Sequence, residues 1–370
     1  MQTRYINKVT MTMGILVLML VCSLMTGCGG QEVAKKDVPE QIKIKDSAGR
    51  EVTVPGKVEK VVDMTSFSGT EIMVQLGAAD KLVGVGDYVK NYMYGERGRD
   101  QWNATRKAAP QLKDLPCVGS YKEPNAELII SLNPDIIFCQ AADVADSLYE
   151  QTGIPVVCIS SSGCLDFEIY RLAGKIVGKE DRAEELISYA EGKIAEIKKV
   201  TSQIPEAEKV KVFFWLVGPD GKPDAPKTYA SYDPIILAGG IDVAIEANIK
   251  PRASFDVTKE QIAVWNPDIV LVHGGSKTPR VSIDNVLSDP VLQTTNAIKN
   301  KKVYFIRAFM IGWDPTIGVC EVPYVAKILY SDKFKKLDVE EECNEILKKF
   351  YGVDGLWTEL LEKSNLHRWE

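Results

Sequence analysis

Two histidines in 370 residues, His273 and His367, leave few side chains for a metal-dependent enzyme. No His/Glu spacing of a metal hydrolase occurs, and there is no G-x-S-x-G elbow and no Walker loop. The stretch Leu237-Ala238-Gly239-Gly240 lacks the rest of a dinucleotide fingerprint. Eight cysteines include no C-x-x-C pair, which removes support for a zinc or dithiol redox motif. Basic runs are absent and the formal charge is −6, so no nucleic acid is expected as a partner. An apolar share of 45% with 26% charged residues is ordinary for a globular protein of about two domains.

What is present begins with Arg4 and Lys8 ahead of the apolar run Met13–Met25. Thirteen residues at ~1.5 Å each fall short of a ~30 Å hydrocarbon core, so the run reads as a secretory signal, residues 1–27. Leu24-Met25-Thr26-Gly27-Cys28 resembles the lipobox of prokaryotic lipoproteins, with Met25 where Leu is usual. The other reading is a plain secreted protein with a cysteine at the cleavage site. Cleavage before Cys28 removes Arg4 and Lys8 and takes the formal charge from −6 to −8. Residues 28–40 read as a tether from a lipid on Cys28, holding the protein to the outer side of the cell membrane. Cys139 and Cys158 lie in strand-like apolar runs and read as buried thiols, a Cys158–Cys164 disulfide being the alternative.

Downstream, Ile42–Val54 alternates on both sides of a Ser-Ala-Gly turn, as a β-hairpin does. Strands are expected at Val58–Met64 and Leu82–Val85, in "ELIISLNPDIIFC" and in "TGIPVVCIS", with a helix at Thr70–Leu76. The second half repeats this order through "KVKVFFWLV", "DPIILAGGIDVA", "EQIAVWNPDIVLVHGG" and "KKVYFIRAF". Alternating strands and helices imply two parallel α/β lobes, residues 41–164 and 206–370. Between them, Ala183, Leu186, Ile187, Ala190, Ile194, Ile197 and Ile204 form one stripe at helical spacing. A helix over Glu180–Gln203 would be roughly 36 Å long. It sits in a connecting segment, 165–205, with a break at Gly178. The fold class is therefore two Rossmann-like lobes joined by one long helix, with a ligand cleft between them. One short passage occurs twice: in "AELIISLNPDII" and "KEQIAVWNPDIV", Glu127 and Glu260 each stand six positions before Asn-Pro-Asp.

Ligands of open α/β sheets sit beyond the carboxyl ends of the strands. There the sequence offers Tyr88, Tyr92, Tyr94, Arg97, Arg99, Trp102 and Tyr121 from one long loop. Aromatic and guanidinium groups together suit a flat anionic ligand. The second half adds Tyr229, Tyr232, His273, Arg307, Phe309 and Trp313, with Arg252 and Lys277 as weaker candidates. His273 follows "PDIVLV", and Gln140 takes the matching place in the first half. His273 is either a metal or ligand contact or a satisfied structural histidine; His367 receives no role.

In order, "TEIMVQLGAADKLVGV", "AELIISLNPDII", "LAGGIDVA" and "KEQIAVWNPDIV" resemble the substrate-binding lipoproteins of ABC importers, in the iron-chelate and cobalamin group. The resemblance covers Ile42 to the C-terminus. It implies two lobes on one long helix and no catalysis. Glu127 and Glu260 would dock on a permease dimer that works with ATPase subunits. In cobalamin-binding relatives, aromatics at the places of Tyr88 and Tyr121 line the ligand; the second-lobe counterpart falls near Ser254-Phe255, where the patterns diverge. No cofactor of its own is implied. The cargo would be a metal chelate: ferric siderophore first, then corrinoid or haem. The protein would be a monomer. A chelatase-like enzyme or an extracytoplasmic sensor subunit are the readings from other classes.

The signal reading predicts that Cys28→Ser moves the protein from the membrane fraction to the soluble exported fraction, as fractionation and immunoblotting would show. Unchanged membrane retention would leave Cys28 without a role as anchor.

Overall fold

The computed structural model describes residues 40–66, 68–95, 102–160, 165–216, 226–251, 253–274, 281–307 and 315–369. The signal, Cys28 and nearly all of the tether lie outside them. Among the described residues no helix is long and apolar enough to cross a membrane.

The hairpin is formed by β1 (Gln41–Lys45) and β2 (Glu51–Pro55), antiparallel, with Ile44 opposite Val52. Asp46 makes the turn: its Oδ1 accepts from the N–H groups of Ala48 and Arg50, at 3.0 and 2.9 Å. Gly49 supplies the positive φ of 84° that the turn needs.

The first sheet contains β3 (Val61–Asp63), β4 (Leu82–Val85), β5 (Ile136–Cys139) and β6 (Val156–Cys158). They are all parallel, in the order β4-β3-β5-β6. Alternation sends Val62, Ile137, Cys139, Val156 and Cys158 to one face, against the helices Ala126–Leu132 and Ala142–Thr152. Val61, Ile136, Phe138 and Val157 enter the main core on the other. The β3 strand starts at Val61 rather than Val58. The Asp135 carboxylate takes the N–H groups of Glu59 and Lys60, at 2.7 and 2.8 Å, before a strand neighbour can.

The helix Glu168–Val177 ends at Gly178, whose φ of 69° gives the expected break. The long helix then runs from Glu180 to Thr201, 22 residues or about 33 Å. Its stripe is buried: Leu186, Ile187, Ile194 and Ile197 are each 6% exposed or less. At about 1.5–3 kcal/mol for each large apolar side chain, this stripe stabilises the helix more than its propensity does. Gly192 faces open space.

In the second lobe, β7 (Lys211–Trp215), β9 (Ile241–Asp242), β11 (Ile269–His273) and β12 (Val303–Ile306) form a parallel sheet in the order β12-β11-β7-β9. A small antiparallel pair, β8 (Lys227–Tyr229) and β10 (Ser254–Asp256), stands beside it. Three-residue strands leave too little alternation to be read from sequence.

The chain then returns to the first lobe. Tyr170 in Glu168–Val177 packs edge-on against Phe350, ring centroids 6.1 Å apart. Arg182 donates to the Lys349 carbonyl at 2.6 Å, and Lys107 pairs with Glu359 at 3.1 Å. The helices Val339–Tyr351 and Leu356–Lys363 thus close over elements some 170 to 250 positions earlier.

Two carboxylates are buried at strand ends. Asp63 accepts from Thr65 N–H at 2.9 Å and from the Thr70 hydroxyl at 2.5 Å. A Cβ on Gly69 would collide with it. Asp242 accepts from Tyr232 and Ala244 N–H groups at 2.7 and 3.0 Å. Burial pushes each carboxyl up to about 6, with these hydrogen bonds opposing the shift. The unfolded value is about 3.9, so the native state holds more protons between those limits. Stability from these groups is therefore complete below pH ~4 and is lost as pH rises through about 6. Urea unfolding from pH 7.5 to 5 should show wild type gaining up to about 1 kcal/mol per pH unit more than Asp63→Asn. Parallel pH profiles would mean that Asp63 is ionised throughout.

Candidate functional site

Parallel order brings the carboxyl ends of all four strands of each sheet to one edge, where the loops carry the polar side chains. In the first lobe, Ser66 follows β3 and donates both its N–H (2.9 Å) and its hydroxyl (2.8 Å) to Gln140 Oε1, just past β5. The turn after β4 is tied to a second loop, because Asp87 N–H donates to the Gly119 carbonyl at 2.9 Å. That bond sets Tyr88 and Tyr121 on loops that share a backbone contact. Tyr88 stacks on Tyr92, centroids 4.2 Å apart and 18° from parallel, at the head of a wide helical turn, Val89–Tyr94. The Tyr121 ring carries Lys122 Nζ 5.7 Å from its centroid.

Burial pushes the Tyr88 phenol up to about 12, and Tyr92 and Glu71 add to the shift. At neutral pH it therefore offers a ring face and an O–H group, and no phenolate. Glu71 itself is only 7% exposed, although it stands in the first turn of Ser68–Gln75. A glutamate in the first turn of a helix complements the helix dipole, so its position alone does not single it out. Its burial beside Tyr88 is what marks it.

In the second lobe, β11 ends at His273, opposite Ile306 of β12. Gly274 N–H donates to Ile306 O at 3.1 Å, and Arg307 comes next. His273 and Arg307 are thus brought to neighbouring strand ends, both half-buried. In the same lobe Tyr229, Phe214 and Tyr232 stack, with 4.2 Å between the rings of Phe214 and Tyr232. The Tyr232 hydroxyl donates to Glu321 Oε2 at 2.5 Å. Glu321 is fully buried in the helix Pro315–Leu329, and nothing in its sequence context marks it.

Two of the expected ligand residues are buried against partners within the fold. Trp102 is 8% exposed and its Nε1 donates to the Leu356 carbonyl at 2.8 Å. It is a core residue that fastens the C-terminal helices to the first lobe. Tyr229, also 8% exposed, belongs to the aromatic stack; only the tertiary fold shows either partner. Arg97, Arg99, Phe309, Trp313, Arg252 and Lys277 fall outside the described residues. Among those described, no three His, Cys, Asp or Glu side chains group to hold a metal ion, so His273 has no ligand set around it there.

The repeated passage has a physical explanation for most of its letters. Asn125 and Thr258 cap the helices Ala126–Leu132 and Lys259–Trp265, accepting from Leu128 and Gln261 N–H at 3.0 and 3.1 Å. Asn133 and Asn266 end them in the left-handed conformation, at φ 47° and 46°. Proline stops the helix. Asp135 and Asp268 reach back to the strand before: Asp268 Oδ2 accepts from Lys211 N–H at 3.0 Å, as Asp135 does from Glu59 and Lys60. Glu127 and Glu260 make none of these bonds and are exposed in the first turn. Ile130 and Val264, 48% and 77% exposed, stand one turn further on.

Comparison with known proteins agrees with this geometry. The profile of the periplasmic binding protein family matches residues 64–308. The molybdate-binding protein MolA of Haemophilus influenzae is 25% identical, over 89% of this chain and 96% of its own length. The Fe(3+)-citrate-binding protein YfmC of Bacillus subtilis is 26% identical, over 81% and 90%. A periplasmic solute-binding protein from Veillonella parvula superposes with a TM-score of 0.66 at 21% identity, covering 88% of this chain and 97% of that one.

If the aspartates hold the joints and the glutamates do not, the two pairs should separate in mutagenesis. Asp135→Ala should cost ~1.5–3 kcal/mol in denaturant unfolding, because it strips two N–H groups of a charged acceptor. Glu127→Ala should stay within ~0.5 kcal/mol of wild type. Equal losses would make the glutamate structural as well.

Proposed function

We propose that this chain, which belongs to the periplasmic binding proteins, captures an anionic metal chelate outside the cytoplasm and delivers it to an ABC importer. The observation that carries the reading is the placement of His273 and Arg307 at adjacent strand ends of one lobe, with the stacked Tyr88–Tyr92 pair on a loop of the other. A guanidinium and an imidazole supply charge-assisted donors to carboxylate, catecholate or oxo groups. The Tyr88–Tyr92 stack supplies a flat apolar wall. Tyr88 and Tyr121 contact the cargo, and Arg97, Arg99 and Trp313 remain further candidates from the sequence.

The cargo class follows from what relatives are named for. Ferric citrate and molybdate are both compact, metal-bearing anions. A ferric siderophore or citrate chelate is our first assignment, and corrinoid or haem follow because the aromatic wall suits a flat ring. The similarity to the molybdate-binding protein supports bare oxyanion as the second reading. The protein binds without catalysis and acts as a monomer held to the membrane through lipid on Cys28. Glu127 and Glu260 each contact one subunit of a permease dimer. Exposed ion pairs are worth only ~0–1 kcal/mol singly, and burial against a partner raises this.

Titration calorimetry with ferric citrate, a ferric catecholate siderophore, cyanocobalamin, haemin and molybdate should find tight binding of a ferric chelate. Arg307→Ala should weaken it by about 10- to 100-fold, equivalent to one charged hydrogen bond. Glu127→Ala combined with Glu260→Ala should abolish uptake into cells and leave that affinity unchanged. Binding of molybdate alone would overturn the chelate assignment, and uptake by the double variant would overturn the docking role.

A further inference from the structure

We propose that Cys139 and Cys158 close into a disulfide that staples the edge strand of the first sheet. The two residues are direct partners in the parallel register of β5 and β6. Both point to the same face of the sheet, among Val62, Ile137 and Val156. Their sulfurs are 3.6 Å apart. Neighbouring strands lie ~4.8 Å apart, inside the ~4.4–6.8 Å of Cα separation that a disulfide spans. A bond therefore needs only a small rotation of the two side chains.

The surroundings hold Cys158 in place for this. It is the last residue of a three-residue edge strand with one strand neighbour, β5. Its other edge is covered by the turn of the β1–β2 hairpin. Cys158 N–H donates to Asp46 Oδ2 at 3.1 Å, and its carbonyl accepts from Ser47 N–H (3.1 Å) and the Ser47 hydroxyl (2.9 Å). Arg50, which also bonds Asp46, donates to the Val156 carbonyl at 2.5 Å. So short a strand gains little from its own ladder, and a covalent link to β5 would hold it and the hairpin that rests on it. The pairing is independent of the cargo in the cleft.

The reaction is thiol–disulfide exchange. Cys139 attacks the disulfide of a small-molecule or protein oxidant as thiolate and displaces one thiol. Cys158 thiolate then attacks Cys139 Sγ in the mixed disulfide and displaces the second. Two protein thiols and one oxidant disulfide become one protein disulfide and two oxidant thiols, so the two electrons pass to the oxidant. Both sulfurs are fully buried in the folded chain. Closure therefore happens before the edge strand docks, in the oxidising compartment reached on export, and folding afterwards shields the bond from reductant.

The test is refolding of the full chain from denaturant in a buffer of oxidised and reduced glutathione. The product is quenched with iodoacetamide under denaturing conditions and mapped by peptide mass spectrometry. The expected result is a cross-linked pair of peptides carrying Cys139 and Cys158, lighter by two hydrogens than the two thiol peptides. Reductant should lower the melting temperature of wild type by several degrees and leave Cys139→Ser unmoved. Complete alkylation of both cysteines after oxidative refolding would overturn the proposal. So would a bridge from Cys158 to Cys164 or Cys117. Because the mapping is done on wild type, poor folding of the variant leaves the test intact.

Discussion

Each lobe depends on a carboxylate that reaches from the end of a helix to the start of a strand. Asp135 takes the N–H groups of Glu59 and Lys60, and Asp268 takes that of Lys211. The reverse bonds, Asp135 N–H to Lys60 O and Asp268 N–H to Lys211 O, are 2.9 and 2.8 Å. Each joint thus sets the register of the central strands, which in turn determines where the strands end. The ends are where Gln140, His273 and Arg307 stand. The same joint fixes the helix whose first turn presents Glu127 or Glu260. Loss of the clasp would disturb both the strand ends and the helix start of a lobe, whereas loss of the glutamate alters only its surface.

Between the lobes, stiffness comes from burial rather than from length alone. The helix Glu180–Thr201 keeps one continuous apolar stripe in the core, and its single glycine faces outward. Sharp bending needs a proline, a glycine pair or a bulge, and the helix has none of these. The C-terminal helices add a second constraint by packing on the first lobe through Trp102 and Lys107 and on the long helix through Arg182. Lobe motion must then distort a buried helix and a packed return at once. This favours a small change in lobe spacing, with the pair of exposed carboxylates kept at a nearly constant separation.

Much of this was legible from residue order. Period-two and period-3.6 apolar patterns, the break at Gly178, and the duplicated Glu-to-Asn-Pro-Asp passage indicated two α/β lobes and a long helix. These signals are local, because caps, αL turns and alternating faces are decided within a few residues. The places of His273 and Arg307 at neighbouring strand ends were also legible, since each closes or follows an apolar run and parallel strands must end together.

What the tertiary structure decided were the long-range partners. Trp102 looked like part of an aromatic ligand loop, but a carbonyl 254 positions away makes it core. Tyr229 was absorbed by a stack with Phe214 and Tyr232 in the same way. Glu71 and Glu321 carried no local mark, and burial beside tyrosines singled them out. Cys139 and Cys158 read alike as buried thiols, and only strand register put their sulfurs in contact. By itself the sequence determined the elements, their order and the two surface carboxylates, because backbone geometry and solvent exposure follow from neighbours along the chain. Which polar side chain faces core, cargo or another cysteine depends on groups that only folding brings within a few ångströms, and that the tertiary structure alone decided.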